Sequence, residues 1–152
     1  MGPKFSLQAV LDYRHSRVES LEMELARLQE ALQQGLAMQA QTQDWIVQLY
    51  QQLEEAQNGE LDLFAIQHLR EDLQNAQNKL DQINTAIKLL EERLEGKRLE
   101  IVTAKQAEET LNTLKQKEQN RWLAERAAAE NRQQDDTYIS QAFRKGNGSM
   151  NV

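Results

Sequence analysis

The stretch AQNGELDLF, residues 56–64, decides the fold, because it is the one place where two long helical patterns are interrupted. Asn58 and Gly59 are the residues that most easily take the left-handed conformation ending a helix, while Glu60 and Asp62 suit the amino terminus of the next one. The stretch therefore predicts a turn over 58–63, with helices over 5–57 and 64–143, a flexible tail over 144–152, and a single coiled-coil domain over 1–152.

Stepping backwards from the turn by alternating threes and fours gives an apolar seam: Ala56, Leu53, Leu49, Ile46, and, further on, Leu32, Leu28, Leu25, Leu21, Val18, Leu11 and Leu7. It weakens at Gly35, Gln39 and Thr42 and carries one charge, Arg14. Stepping forwards from Ile66 gives a second seam through Leu69, Leu73, Ala76, Leu80, Ile83, Ile87, Leu90, Leu94, Lys97, Ile101, Ala104, Glu108 and Leu111. A short link between long helices makes them antiparallel neighbours. The expected fold is all-α, a long two-helix antiparallel coiled-coil hairpin with a C-terminal helical overhang.

The register follows by facing seam positions across the turn. Leu53 meets Leu69, Leu32 meets Leu90, Leu21 meets Ile101, Leu11 meets Leu111, and Gly35 offers a gap to Ile87. Arg14 then falls opposite Glu108, a register pair that penalises slipped alignments, since a lone charge in a seam is costly. After Leu111 the stepping lands on Lys115, Glu118, Trp122, Glu125, Ala129, Arg132 and Asp136, and the stripe dissolves. Helix formers continue to Phe143, so about 26 residues should project as a single helix of roughly 39 Å.

Composition narrows the function. Hydrophobic residues make up only 39% of the 152, and the single proline is Pro3, which favours long thin helices over a thick core. With no cysteine there is no disulfide or thiol chemistry, and a reducing cytoplasm is the natural assignment. The start MGPKFSLQAV lacks the apolar core of a signal peptide, and no run approaches the ~18 apolar residues of a membrane span. His15 and His68 lie near opposite ends of the hairpin, adjacent carboxylates such as Asp135 and Asp136 diverge on a helix, and Gly96-Lys97 lacks the rest of a phosphate loop. The sequence thus offers no catalytic residue, no metal ligands and no cofactor, and is not expected to be an enzyme. Nucleic acid fits poorly, since the basic end lacks interleaved aromatics, and direct membrane insertion fits poorly with helices that are mixed or acidic.

Protein binding remains, and two surfaces suit it. Around the acidic turn, where residues 44–74 carry a net charge of −6, Trp45, Val47, Tyr50, Leu61, Leu63 and Phe64 lie off the seam. They form either a binding patch or a local core in which residues 61–64 fold back over the tip. At the other end, where residues 1–18 and 115–152 each come to +2, Val10 and Tyr13 flank the first seam, and Trp122, Leu123, Tyr138, Ile139 and Phe143 stand on the overhang.

Both ends carry short motifs that resemble the FliJ family of flagellar (type III) export proteins. FSLQAVLDYRHSRVE is similar to the family's opening signature at Phe5, Leu7, Val10, Leu11, Arg14 and Glu19. ERAAAENRQQDDTYISQAF is similar to its closing pattern at Arg126, Glu130, Asp135 and Asp136, with Asn131-Arg132 in place of the more usual Gln-Lys. The resemblance implies a stalk similar to that of rotary ATPases, its joined termini in the pore of a hexameric export ATPase (FliI-like), with contacts to an export gate protein (FlhA-like) and to export chaperones. Under it the ring-binding residues are Phe5, Val10, Tyr13, Arg14, Arg17, Arg121, Trp122, Arg126, Glu130, Arg132, Asp135 and Asp136, and the gate-binding residues are Trp45, Tyr50, Leu61, Phe64 and His68. It also implies a cytoplasmic location at the inner face of the cytoplasmic membrane, reached through partners. The stalk of a virulence-type secretion system, a parallel coiled-coil dimer and a general adaptor are the alternative readings.

Overall fold

Two helices account for nearly all of the computed structural model, which describes residues 4–60 and 62–150, the last four as backbone alone. α1 spans Gln8–Asn58 and α2 spans Leu63–Met150, 51 and 88 residues long. They pack against each other as a helical hairpin, with no strand among the described residues. α2 continues past the expected end at 143 to Met150, while 151–152 lie outside the described residues.

The turn is built differently from the sequence expectation. No described residue has a positive φ, so neither Asn58 nor Gly59 is left-handed. Gly59 N–H instead donates to Glu55 O at 3.1 Å, an ordinary helical bond, and α1 ends without a left-handed cap. The definition comes from the other side of the turn. Asp62 Oδ1 accepts from the N–H groups of Phe64 and Ala65 at 3.0 and 3.2 Å, and Asp62 O accepts from Ile66 N–H at 3.0 Å. Asp62 is therefore the N-cap of α2, satisfying donors that the first turn of a helix leaves free.

Contacts divide the chain into two units, residues 17–104 and residues 1–16 with 105–152. In the first, Val18, Leu21, Leu49, Ile66, Ala76, Ile83, Ile87, Leu94 and Ile101 are buried, all on the expected seams. Leu21 is 1% exposed and Ala76 fully covered, and truncating a residue such as Leu21 to alanine costs about 2–5 kcal/mol. The register is the expected one at Gly35, where a Cβ would stand 3.3 Å from Ile87 Cγ1. The polar interruption of the first seam is also satisfied: buried Thr42 donates its hydroxyl to Met38 O at 2.8 Å, and Gln39 Nε2 donates across to Asn84 Oδ1 at 2.8 Å. Lys97, on the second seam, reaches Glu24 at 2.7 Å and Glu100 at 3.3 Å.

In the other unit Phe5 and Leu11 are buried, and Ala107, Glu108, Leu111, Lys115 and Trp122 are half-buried. Here one side-chain expectation fails. Glu108 Oε1 is engaged by His15 Nδ1 at 2.7 Å, whereas Arg14 is exposed to solvent. His15 sits on the flank of the seam with its side chain more than half exposed and meets the Glu108 carboxylate there, while Arg14 stays on the exposed surface. Leu7, also stepped as a seam residue, is 38% exposed.

Two outcomes test these contacts. A Cβ added at Gly96 would meet nothing within 4 Å, so Gly96→Ala should raise stability by about 1 kcal/mol, as helix propensity dictates. Gly35→Leu should lower stability, because Ile87 already fills that space; thermal unfolding followed by circular dichroism measures both. The Glu24–Lys97 pair sets a pH dependence. Its hydrogen bond holds the Glu24 carboxyl below its ordinary 4.5 and the Lys97 ammonium above its ordinary 10.5. A lowered carboxyl pKa stabilises above the unfolded value and is lost as pH falls through the folded one; a raised ammonium pKa stabilises below 10.5 and is lost above it. Glu24→Gln should therefore reduce the melting temperature at neutral pH, and the difference should vanish once pH falls below the lowered carboxyl value.

Candidate protein-binding surfaces

From Leu123 to Gly146 every residue of α2 is exposed. The helix persists there through local bonds: Arg121 Nε to Glu125 at 3.2 Å, Arg126 Nε to Glu130 at 3.3 Å, Arg132 Nε to Ala128 O at 3.4 Å, and Thr137 Oγ1 to Gln133 O at 2.8 Å. Ion pairs four residues apart contribute about 0.2–0.5 kcal/mol each, and the order arginine-then-glutamate is the weaker one. Arg126 also stacks over the half-buried Trp122 ring, 5.3 Å from its centroid.

This segment exposes Leu123, Tyr138, Ile139 and Phe143, each by more than half. Ile139 and Phe143 follow Arg132 and Asp136 at the same three-and-four spacing that defines the buried seam. They occupy the seam's face of α2 with nothing described against them. Of the expected ring-binding residues, Arg14, Arg121, Arg126, Glu130, Arg132, Asp135 and Asp136 are exposed, Val10 and Tyr13 flank the seam in the open, and Trp122 is half-covered. Phe5 is buried and belongs to the packing of this unit, while Arg17 falls in the other unit, where it is exposed.

At the turn, Leu63 is 76% and Phe64 86% exposed, so these two do not fold back into a local core. Leu61 lies outside the described residues. Trp45, Val47 and Tyr50 are exposed as well, and Tyr50 Oη accepts from Gln77 Nε2 at 3.2 Å. At about 100° per residue, Trp45 and Tyr50 point roughly 140° apart on α1, so they flank the seam on opposite sides. Phe64 and His68, one turn apart, share the face of α2 opposite the buried Ile66, where His68 Nε2 lies 3.7 Å from Asp72. The tip therefore presents separate apolar ridges.

Among the described residues no three His, Asp or Glu side chains gather in a metal-holding arrangement, and no helix is long and apolar enough to cross a membrane. The described residues thus form an all-α helical hairpin that exposes large apolar side chains at the turn and on the carboxyl-terminal segment. The family model described as Flagellar FliJ protein matches residues 3–147 of the chain, and the chain belongs to the FliJ family. Comparison with curated proteins and with solved structures gives no match. Membership assigns a flagellar export-related role within a non-enzymatic family of structural or chaperone-like proteins, whose partners belong to the export apparatus.

The tip residues are predicted to be dispensable for stability. Phe64→Ser should leave unfolding within about 0.5 kcal/mol of the parent in urea titration, the range of surface substitutions, since the ring buries little.

Proposed function

We propose that the protein is the central stalk of a flagellar type III export ATPase, inserting its paired termini into the hexameric ATPase ring, in the cytoplasm at the membrane face. The observation that carries this reading is the exposed segment from Leu123 to Gly146, a helix that places Ile139 and Phe143 on its seam face without cover. A lone helix gains little from such side chains unless a partner encloses them, and a helix about 10–12 Å across suits a pore. The arginines and acids of the segment would exchange their local pairs for charges lining the ring. Because six subunits surround one asymmetric stalk, contacts would be sparse and polar. The aromatic ridges at the turn, with Trp45, Tyr50, Phe64 and His68, would engage the export gate protein, and export chaperones would bind the same molecule.

The test is ATP hydrolysis by a hexameric export ATPase of the FliI type, measured with and without this protein. The full chain is expected to stimulate turnover, truncation after Lys117 to abolish stimulation, and Ile139→Glu with Phe143→Glu to reduce it while leaving helicity unchanged. Equal stimulation by the truncated chain overturns the reading.

A further inference from the structure

Beyond the half-buried Trp122, α2 keeps the spacing of the seam with no helix described against it. The positions are Glu125, Ala129, Arg132, Asp136, Ile139 and Phe143, and all of them are exposed. Two of the charges on this row stand apart from the local pairing of the segment. Arg121 and Arg126 are each matched to a glutamate one turn on, whereas Arg132 reaches only Ala128 O at 3.4 Å and Asp136 has no ion pair, among the described residues.

The row complements itself when read in the opposite direction. Pairing it antiparallel with a second copy, about a two-fold axis at the level of Gln134, sets Arg132 against the second copy's Asp136 and Asp136 against the second copy's Arg132. Ala129 then faces Ile139 on both sides of the axis, small against large, as Gly35 faces Ile87 in the hairpin. Trp122 faces Gly146, which brings no side chain to the contact, and Phe143 lies over Glu125, whose carboxylate Arg121 holds at 3.2 Å. Moved by one heptad either way, Asp136 meets Glu125 or Ile139, and Arg132 meets Ala129 or Phe143, so among these registers only the first joins the two charges.

The lengths agree as well. In the hairpin register Leu11 faces Leu111, so Gln8, the first residue of α1, falls opposite Leu114. The second copy's α2, ending at Met150, falls opposite Glu118. The second copy thus begins to cover α2 one turn after α1 stops, in the same antiparallel sense, and the two do not overlap.

We propose that the exposed segment of α2 pairs with the same segment of a second copy, carrying the seam on as a two-fold symmetric, antiparallel dimer. Asp135 flanks the axis and meets its own counterpart, a repulsion that keeps the pairing weak and reversible. The proposal stands apart from the stalk reading, because it needs only this chain; self-pairing covers the face that a ring would enclose, which makes the dimer the form without that partner.

Sedimentation equilibrium of the full chain at rising concentration tests it, with the variants Arg132→Asp and Asp136→Arg. The parent is expected to dimerise. Each single reversal places like charges together on both sides of the axis and should weaken dimerisation about tenfold, while an equimolar mixture of the two variants should form a heterodimer, in which each of these charges meets its opposite. Circular dichroism checks that every variant keeps its helicity. With no native cysteine, Ala129→Cys and Ile139→Cys chains mixed under mild oxidation should cross-link to each other in preference to themselves. A parent that stays monomeric up to about 1 mM, dimers that neither reversal weakens, or a mixture that associates no better than its components overturns the proposal. Stimulation of an export ATPase is a separate readout, so the dimer and the stalk reading fail independently.

Discussion

Everything in this structure depends on a seam whose two sides are unequal in length. α1 begins at Gln8, and the covered positions of α2 end accordingly, with Leu111, Lys115 and Trp122 half-buried and every residue from Leu123 to Gly146 exposed. Burial of leucine and isoleucine side chains, not hydrogen bonding, drives the pairing, since each helix satisfies its own backbone. Where the apolar partner stops, burial stops, and α2 is left to hold itself together by short-range ion pairs of small individual worth. The same inequality that limits stability leaves side chains available to another protein.

The carboxyl-terminal segment and the turn offer different chemistry. On the exposed carboxyl-terminal segment, Arg121 and Arg126 are matched to glutamates one turn on, so a partner there competes with contacts already made. Such an exchange tunes specificity and rate more than affinity. At the turn, Leu63 and Phe64 stand in water without any polar competition, and their association with a partner is governed by apolar burial. Membership of the FliJ family puts the protein that carries both surfaces in flagellar export.

Periodicity made most of the packing legible. Each second-seam position from Leu69 to Leu111 is buried or half-buried, and Gly35 faces Ile87, because spacing alone fixes which face of a helix meets its neighbour. Side-chain reach is a different matter. Nothing in the spacing says that Glu108 takes His15 from the flank in preference to Arg14, since the outcome rests on ring orientation and the hydration of a guanidinium. The turn misled for a related reason: Asn-Gly permits a left-handed cap without requiring one, and Asp62 capping α2 was enough. Gly96 beside Lys97 was legible only as an incomplete phosphate loop, and the structure leaves it on open surface, with nothing within 4 Å of where a Cβ would stand.

The interhelical bonds also carry a kinetic order. Tyr50–Gln77 closes a span of 27 residues, Gln39–Asn84 one of 45, Glu24–Lys97 one of 73, and His15–Glu108 one of 93. Closure entropy grows with each step but only logarithmically, so once the first contacts beside Asp62 exist, every later pair shortens the loop left for the next. Assembly zips from the bend outwards. By the same logic the contacts around His15 form last and open first in native-state exchange, which makes the region nearest the uncovered helix the one most readily rearranged by a partner.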